Sequence, residues 1–271
     1  MHITQPTLSR QLMQLEEELG VRLFTRGSHR IVLTDEGVLL KRRAKELMSL
    51  VDKTKSELKQ SEYLSGEISI GSGEYRSGSF FSEILAAFNK LYPNVKFNIF
   101  SGNSDNIKEK MERGTLDAGV LLEPVDVLRY GFLRIPFKEE WCAVVSENSP
   151  LALKSFVTPV DLAGVPLAFS CRDYIRSEIT NWFGDYADSL NIVAEGNLLY
   201  NLACTAYRCG GAAIGIRLNC EFNGMKYVPL KPEIESNAVL VWKKNQIMSA
   251  AVSTFIVFAT KYIKSISDNL K

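Results

Sequence analysis

The chain has 271 residues, a net charge of +1, and 46% apolar against 23% charged residues. That length accommodates two or three folding units, the composition is that of a soluble globular protein, and the near-zero charge excludes a globally basic field. No stretch approaches the apolar length of a membrane span, and the polar start has no signal-peptide core, so the expected location is the cytosol. Five cysteines, Cys142, Cys171, Cys204, Cys209 and Cys220, are odd in number and irregularly spaced, which does not make a disulfide framework. The two histidines, His2 and His29, have no cysteine near them in sequence, which argues against structural zinc. No cofactor is expected.

Residues 4–19 predict a short helix with both ends marked. Thr4 is placed to cap the first turn through its hydroxyl, and Pro6 is tolerated there because first-turn amides lack intrahelical partners. Leu8, Leu12, Leu15 and Leu19 recur at helical spacing as one apolar stripe, and Gly20 supplies the stop. The remaining first-turn side chains, Gln5, Thr7, Ser9 and Arg10, can contact phosphates and base edges. Val21-Arg22-Leu23-Phe24-Thr25-Arg26 and His29-Arg30-Ile31-Val32-Leu33-Thr34-Asp35-Glu36-Gly37 follow.

These two stretches together closely resemble the recognition helix and wing of the LysR-type transcriptional regulators. The resemblance implies a winged helix-turn-helix, with DNA contacts from Gln5, Pro6, Thr7, Ser9 and Arg10 on the helix and from Arg30 on the wing. The family pattern carries two further helices ahead of Thr4, about 25 residues at usual helix and turn lengths, which hold the recognition helix. The expectation is therefore a partial winged helix-turn-helix over residues 1–34. A second reading stands beside it: an effector-binding and dimerisation module that does not bind DNA itself. The Lys41-Arg42-Arg43 and Lys45 cluster that follows can neutralise phosphates or form a solvated face.

From Asp35 to about Tyr63 the chain lacks proline. Leu40, Ala44, Leu47, Val51, Thr54 and Leu58 alternate steps of four and three, a heptad seam with one polar position. The predicted element is a dimerisation helix over 35–64, which in the family pairs with its copy in another subunit; dimer and tetramer are both open.

Ser65-Gly66 breaks that helix, and strands then alternate with helices. Predicted strands are 67–71, 95–100, 116–122, 131–135, 141–145, 166–169, 191–195, 212–216, 226–228 and 238–242. Predicted helices are 80–91, 106–113, 173–183, 197–207 and 248–265. This alternation implies an α/β fold with parallel sheets covered on both faces. Ile68-Ser69-Ile70-Gly71, Leu91-Tyr92-Pro93-Asn94-Val95, Gly114-Thr115-Leu116-Asp117-Ala118-Gly119-Val120 and Asn148-Ser149-Pro150-Leu151-Ala152 resemble the effector-binding domain of the same family. The resemblance implies two α/β lobes shaped like a periplasmic binding protein: lobe I over 65–147 and 233–271, lobe II over 148–232. The chain would cross near Val144 to Leu151 and return near Pro232 to Leu240.

In such folds ligands bind at the C-terminal ends of strands, in the crevice between lobes. The loop from Ser72 to Ser79 offers amides and hydroxyls at a helix start, which favours an anion. Its candidates are Ser72, Gly73, Glu74 and Arg76, the last suited to pair with a carboxylate. Glu74 could instead neutralise Arg76 or select an amine. Gly102, Asn103 and Ser104 follow the next strand, and the resemblance places effector contacts at Ser72 and Asn103. Lobe II contributes Ser170 and Tyr200. Ser79, Ser101 and Ser104 read equally well as helix caps. Ser170-Cys171-Arg172-Asp173 resembles the peroxide-sensing branch of the family, and Arg172 could lower the thiol pKa. No second cysteine follows within thirty residues, so the default is inert core cysteines.

Four function classes follow. The first is a transcription regulator that answers a small-molecule effector, and the second is the binding module alone. The third, a transported-solute receptor, conflicts with the wing and heptad seam. The fourth is an enzyme, for which the sequence offers no Ser-His-Asp set, metal cluster or phosphate loop. The expected partners are double-stranded DNA, a small-molecule effector and a second copy of the chain, with no membrane.

Overall fold

The computed structural model describes residues 4–26, 31–57, 64–234 and 236–269. The chain divides into two units, Met1–Lys59 and Gln60–Lys271.

The first unit opens with α1 (Gln5–Leu19), which Gly20 ends in the left-handed region at φ 66°, its amide donating to Glu16 and Glu17 carbonyls. Thr4 sits at the N-cap, but its hydroxyl is 2.8 Å from Thr7 Oγ1 instead of on a backbone amide. This corrects the capping expectation: a second hydroxyl one turn on competes with the amide. β1 (Phe24–Arg26) and β2 (Ile31–Leu33) form an antiparallel hairpin with Phe24 opposite Leu33. α2 (Asp35–Glu57) begins where Thr34 Oγ1 accepts from the Gly37 amide at 3.0 Å. The expected end of this helix, including Leu58, lies outside the described residues. Its seam is open in the single chain: Leu47 is 64% exposed, and Ala44 and Val51 are exposed as well. Thr54 satisfies its hydroxyl on the Leu50 carbonyl at 2.8 Å.

The second unit runs β3 (Gly66–Ser72), α3 (Gly78–Leu91), β4 (Val95–Ser101), α4 (Ser104–Glu112), β5 (Ala118–Leu122), β6 (Tyr130–Glu139), β7 (Trp141–Ser146), α5 (Pro159–Leu162), β8 (Pro166–Ser170), α6 (Asp173–Phe183), β9 (Asn191–Gly196), α7 (Leu199–Arg208), β10 (Ala212–Ile216), β11 (Met225–Pro229), β12 (Ser236–Lys243) and α8 (Ala250–Asn269). Two five-stranded sheets result, in the orders β4-β3-β5-β12-β6 and β11-β7-β10-β8-β9. Each is the centre of one lobe.

In lobe I, α3 and α8 cover one face, where Phe88 meets Phe255 edge-on at 5.3 Å. Ile107 and Met111 of α4 cover the other face against Leu121, Val239 and Val241. The helix sits close because Gly71 and Gly119 leave no side chain under Ile107; an added Cβ would lie 2.6 and 2.7 Å from it. In lobe II, Ile175, Ile179 and Phe183 of α6 pack on one face of the sheet, and Leu199, Leu202 and Ala206 of α7 on the other.

Two expectations are corrected. The sheets are mixed: β12 runs antiparallel to β5 and β6, and β7 antiparallel to β10 and β11. Both strands are entered from the opposite lobe without a covering crossover helix, so the parallel rule for βαβ units does not act on them. The crossing also falls earlier than Val144, at Glu140, because Trp141–Ser146 is already in register with β10 and β11. The two crossings are tied together. Trp141 Nε1 donates to Ser236 Oγ at 2.9 Å, and the Leu230 amide to the Trp141 carbonyl at 3.1 Å.

Candidate functional site

A cleft open to solvent lies between the lobes. Its walls come from strand ends and helix starts of both sheets. On the lobe I side the chain leaves β3 through Gly73 and turns under the Tyr75 ring. A Cβ on Gly73 would lie 2.3 Å from the Tyr75 hydroxyl, so the ring occupies space that only glycine leaves. Burial pushes the Tyr75 phenol above its ordinary value, against the opposing pull of the Ser104 hydroxyl beside it and of Arg172.

The first turn of α3 is held by Glu139. This carboxylate is 2% exposed and accepts from the Arg76 amide at 2.9 Å and the Ser77 amide at 3.2 Å. Asn103 caps α4, its Oδ1 accepting from Asp105 and Asn106 amides at 3.1 and 2.9 Å. The next residue, Ser104, is buried, and its hydroxyl has no partner at hydrogen-bond geometry among the described residues.

Lobe II contributes Ser170, Arg172 and the first turn of α7. Arg172 bridges the lobes: its Nε donates to Asp105 Oδ2 at 3.0 Å and a terminal nitrogen to Asp105 Oδ1 at 3.4 Å. Apolar wall comes from Leu122, Trp141, Ile175, Leu202, Ile214 and Ile216. Away from the cleft mouth, Asn219 also joins the lobes, donating to the Arg76 carbonyl at 3.0 Å and to Ser79 Oγ at 2.9 Å.

Six of the nine residues expected in the cleft line it: Gly73, Glu74, Gly102, Asn103, Ser104 and Ser170. The other three do not. Ser72 turns its hydroxyl back on the Gly73 carbonyl at 2.9 Å. Arg76 is half-exposed and faces Glu140 at 3.7 Å rather than a ligand position. Tyr200 is exposed on the far side of the α7 first turn, its ring edge-on to Phe222 at 5.0 Å; Leu199 and Leu202, three apart, take the inward face. The cleft also uses Tyr75, Trp141 and Arg172. Only Arg172 carried a sequence signal, as the cation directly after a strand end.

The cysteines are corrected too. Cys142 is buried, but Cys171, Cys209 and Cys220 are exposed, because only Cys142 lies inside a central strand. On the first unit, Gln5, Pro6, Thr7 and Arg10 are exposed and Ser9 half-buried. No α1 residue is buried among the described residues. Arg30 lies outside the described residues.

A hairpin-bearing helical unit followed by two α/β lobes, joined by two crossings around a cleft, defines a class of chain with a separate two-lobed binding domain. The family model "LysR substrate binding domain" matches residues 61–263, and "Bacterial regulatory helix-turn-helix protein, lysR family" matches residues 1–38. The chain belongs to the LysR family of transcriptional regulators. It is 29% identical over 259 residues to the DNA-binding transcriptional dual regulator OxyR of Escherichia coli (strain K12), covering 89% of this chain and 81% of OxyR. Among solved structures it resembles CbnR, a LysR family transcriptional regulator, with TM-score 0.73 and 15% identity over 96% of this chain and 90% of CbnR. It also resembles the effector binding domain of QuiR in complex with shikimate, with TM-score 0.65 and 22% identity over 74% of this chain and 99% of that one. These relatives are regulators and binding domains rather than enzymes. No helix among the described residues is long and apolar enough to cross a membrane.

Proposed function

We propose that this chain binds operator DNA through its first unit and a small-molecule effector in the cleft between its lobes. It works as a dimer or higher oligomer joined along α2. The observation that carries the reading is the cleft itself: helix N-termini, a buried hydroxyl and a guanidinium converge on a space with apolar walls. Gly73, Glu74, Gly102, Asn103, Ser104 and Ser170 are the proposed effector contacts, joined by Tyr75 and Arg172. Gln5, Pro6, Thr7, Ser9 and Arg10 are the proposed DNA contacts, supported by the exposure of all but the half-buried Ser9 on one helix and by the solved complex of CbnR with its target DNA. Arg30 is proposed to reach the DNA from the wing.

The cleft is read as binding its ligand without turnover; among the described residues no histidine, lysine or cysteine lines it. A regulator of this kind acts in the cytosol, where its operator is. The test is a mobility-shift titration with DNA from upstream of the chain's own gene, repeated across a salt series. Binding that weakens linearly in log salt, and that Arg10→Ala reduces, supports the reading. Absence of any shift, with the dimer intact, leaves only the module that binds effector.

A further inference from the structure

The Arg172–Asp105 pair is lopsided. The Arg172 side chain is 12% exposed, whereas that of Asp105 is 62% exposed. An exposed carboxylate gains little from an ion pair and leaves it cheaply. A largely buried guanidinium left without an anion pays its desolvation in full. Arg172 therefore needs a carboxylate more than it needs this one.

The surroundings point the same way. Arg172 lines the cleft together with the start of α4. There Ser104 is 1% exposed, and its hydroxyl, beside the Tyr75 phenol, has no partner at hydrogen-bond geometry among the described residues. Asn103 spends its Oδ1 on capping, which leaves its amide nitrogen as a donor. Donors at a helix N-terminus beside a guanidinium suit an anion. Asp105, on the first turn of α4, fills that role from the rim.

We propose that the Arg172–Asp105 bond is exchangeable. A small carboxylate with a compact apolar body enters the cleft, takes the place of Asp105 on Arg172, and accepts from Ser104. Asp105 moves into solvent. The lobes are then joined at this edge through the ligand instead of directly, while Asn219 still holds the other edge. Occupancy thereby changes how one lobe is tethered to the other. This rests on the cleft being the effector site.

The test uses the full chain and three probes of one shape: cyclohexanecarboxylate, its uncharged amide, and cyclohexylamine. Trp141, in the cleft wall, reports binding by fluorescence. Asp105→Asn removes the competitor and keeps the side-chain size. It is expected to tighten the carboxylate about fivefold, the value of an exposed ion pair, and to leave the amide unchanged. Arg172→Lys is expected to weaken the carboxylate while circular dichroism stays native. The proposal is overturned if Asp105→Asn leaves carboxylate affinity unchanged or lowers it, or if amide and carboxylate respond alike. Binding of only the amide or the amine overturns the exchange and leaves the cleft as the effector site. No response from any probe, on wild type and both variants, removes both.

Discussion

Glu16 holds Leu23: its Oε1, on the last turns of α1, accepts the Leu23 amide at 2.6 Å and the Phe24 amide at 3.1 Å. Leu23 is itself 2% exposed, and the Cβ position of Gly37 lies 2.1 Å from its carbonyl. One carboxylate thus fixes where the wing leaves the helix. Glu16→Ala leaves two amides without their acceptor and is expected to cost about 1–3 kcal/mol in urea denaturation. Glu16→Gln, which keeps one acceptor, should fall between. DNA affinity should drop in the same order.

Gly73→Ala puts a methyl group into the Tyr75 ring. Overpacking of this kind costs about 1–3 kcal/mol. A companion Tyr75→Ala should recover part of the loss, so the double variant should be less destabilised than the two singles summed. Additive losses would show that the ring and the glycine are not in contact.

Tyr130 donates to Glu112 at 2.7 Å. Burial, then Glu112, pushes the Tyr130 phenol up to about 12. The same bond, then Lys243, holds the Glu112 carboxyl below its ordinary value. Tyr130 therefore contributes stability that is whole below its unfolded pKa near 10 and is lost as pH rises through about 12. Glu112 contributes stability that is whole above its unfolded pKa and is lost as pH falls through the lowered value. Tyr130→Phe should weaken both contributions. Urea midpoints in acid, at neutrality and at about pH 11 check this.

Alkylation should sort the cysteines. Burial, with Glu140 nearby, pushes the Cys142 thiol far up, so it should react only on unfolding. Cys171, Cys209 and Cys220 are exposed and should be modified in the native chain. Peptide mapping after iodoacetamide reads the order.

Leu47→Glu sets a charge into the exposed seam of α2 and is expected to shift sedimentation toward the monomer. Lys41→Gln, off the seam, should not.

Much of the architecture was legible in the chain. Asp173 to Phe183 forms the helix its pattern predicts, since Ile175, Ile179 and Phe183 share the face that lobe II buries. Strand direction was not legible: the continuous apolar run Trp141–Val145 says that a strand forms but not which way it runs beside β10. The cleft was half legible. Loops after strands were readable from glycine and serine. Arg76 and Arg172 look alike in sequence, yet Glu140 turns one away while Asp105, 67 positions distant, draws the other across. Such choices are made by partners far along the chain.

Lobe I is completed from the far end of the sequence, with β12 seated between β5 and β6. A ribosome therefore delivers β5, whose five residues are all buried in the finished fold, more than a hundred positions before the strand that covers its edge. During that interval lobe II can close by itself, because its five strands are contiguous. Lobe I waits with an open apolar edge of the kind that invites pairing with other chains. Any product that stops short of residue 236 keeps that edge permanently, so premature termination should yield aggregates rather than a soluble one-lobed fragment.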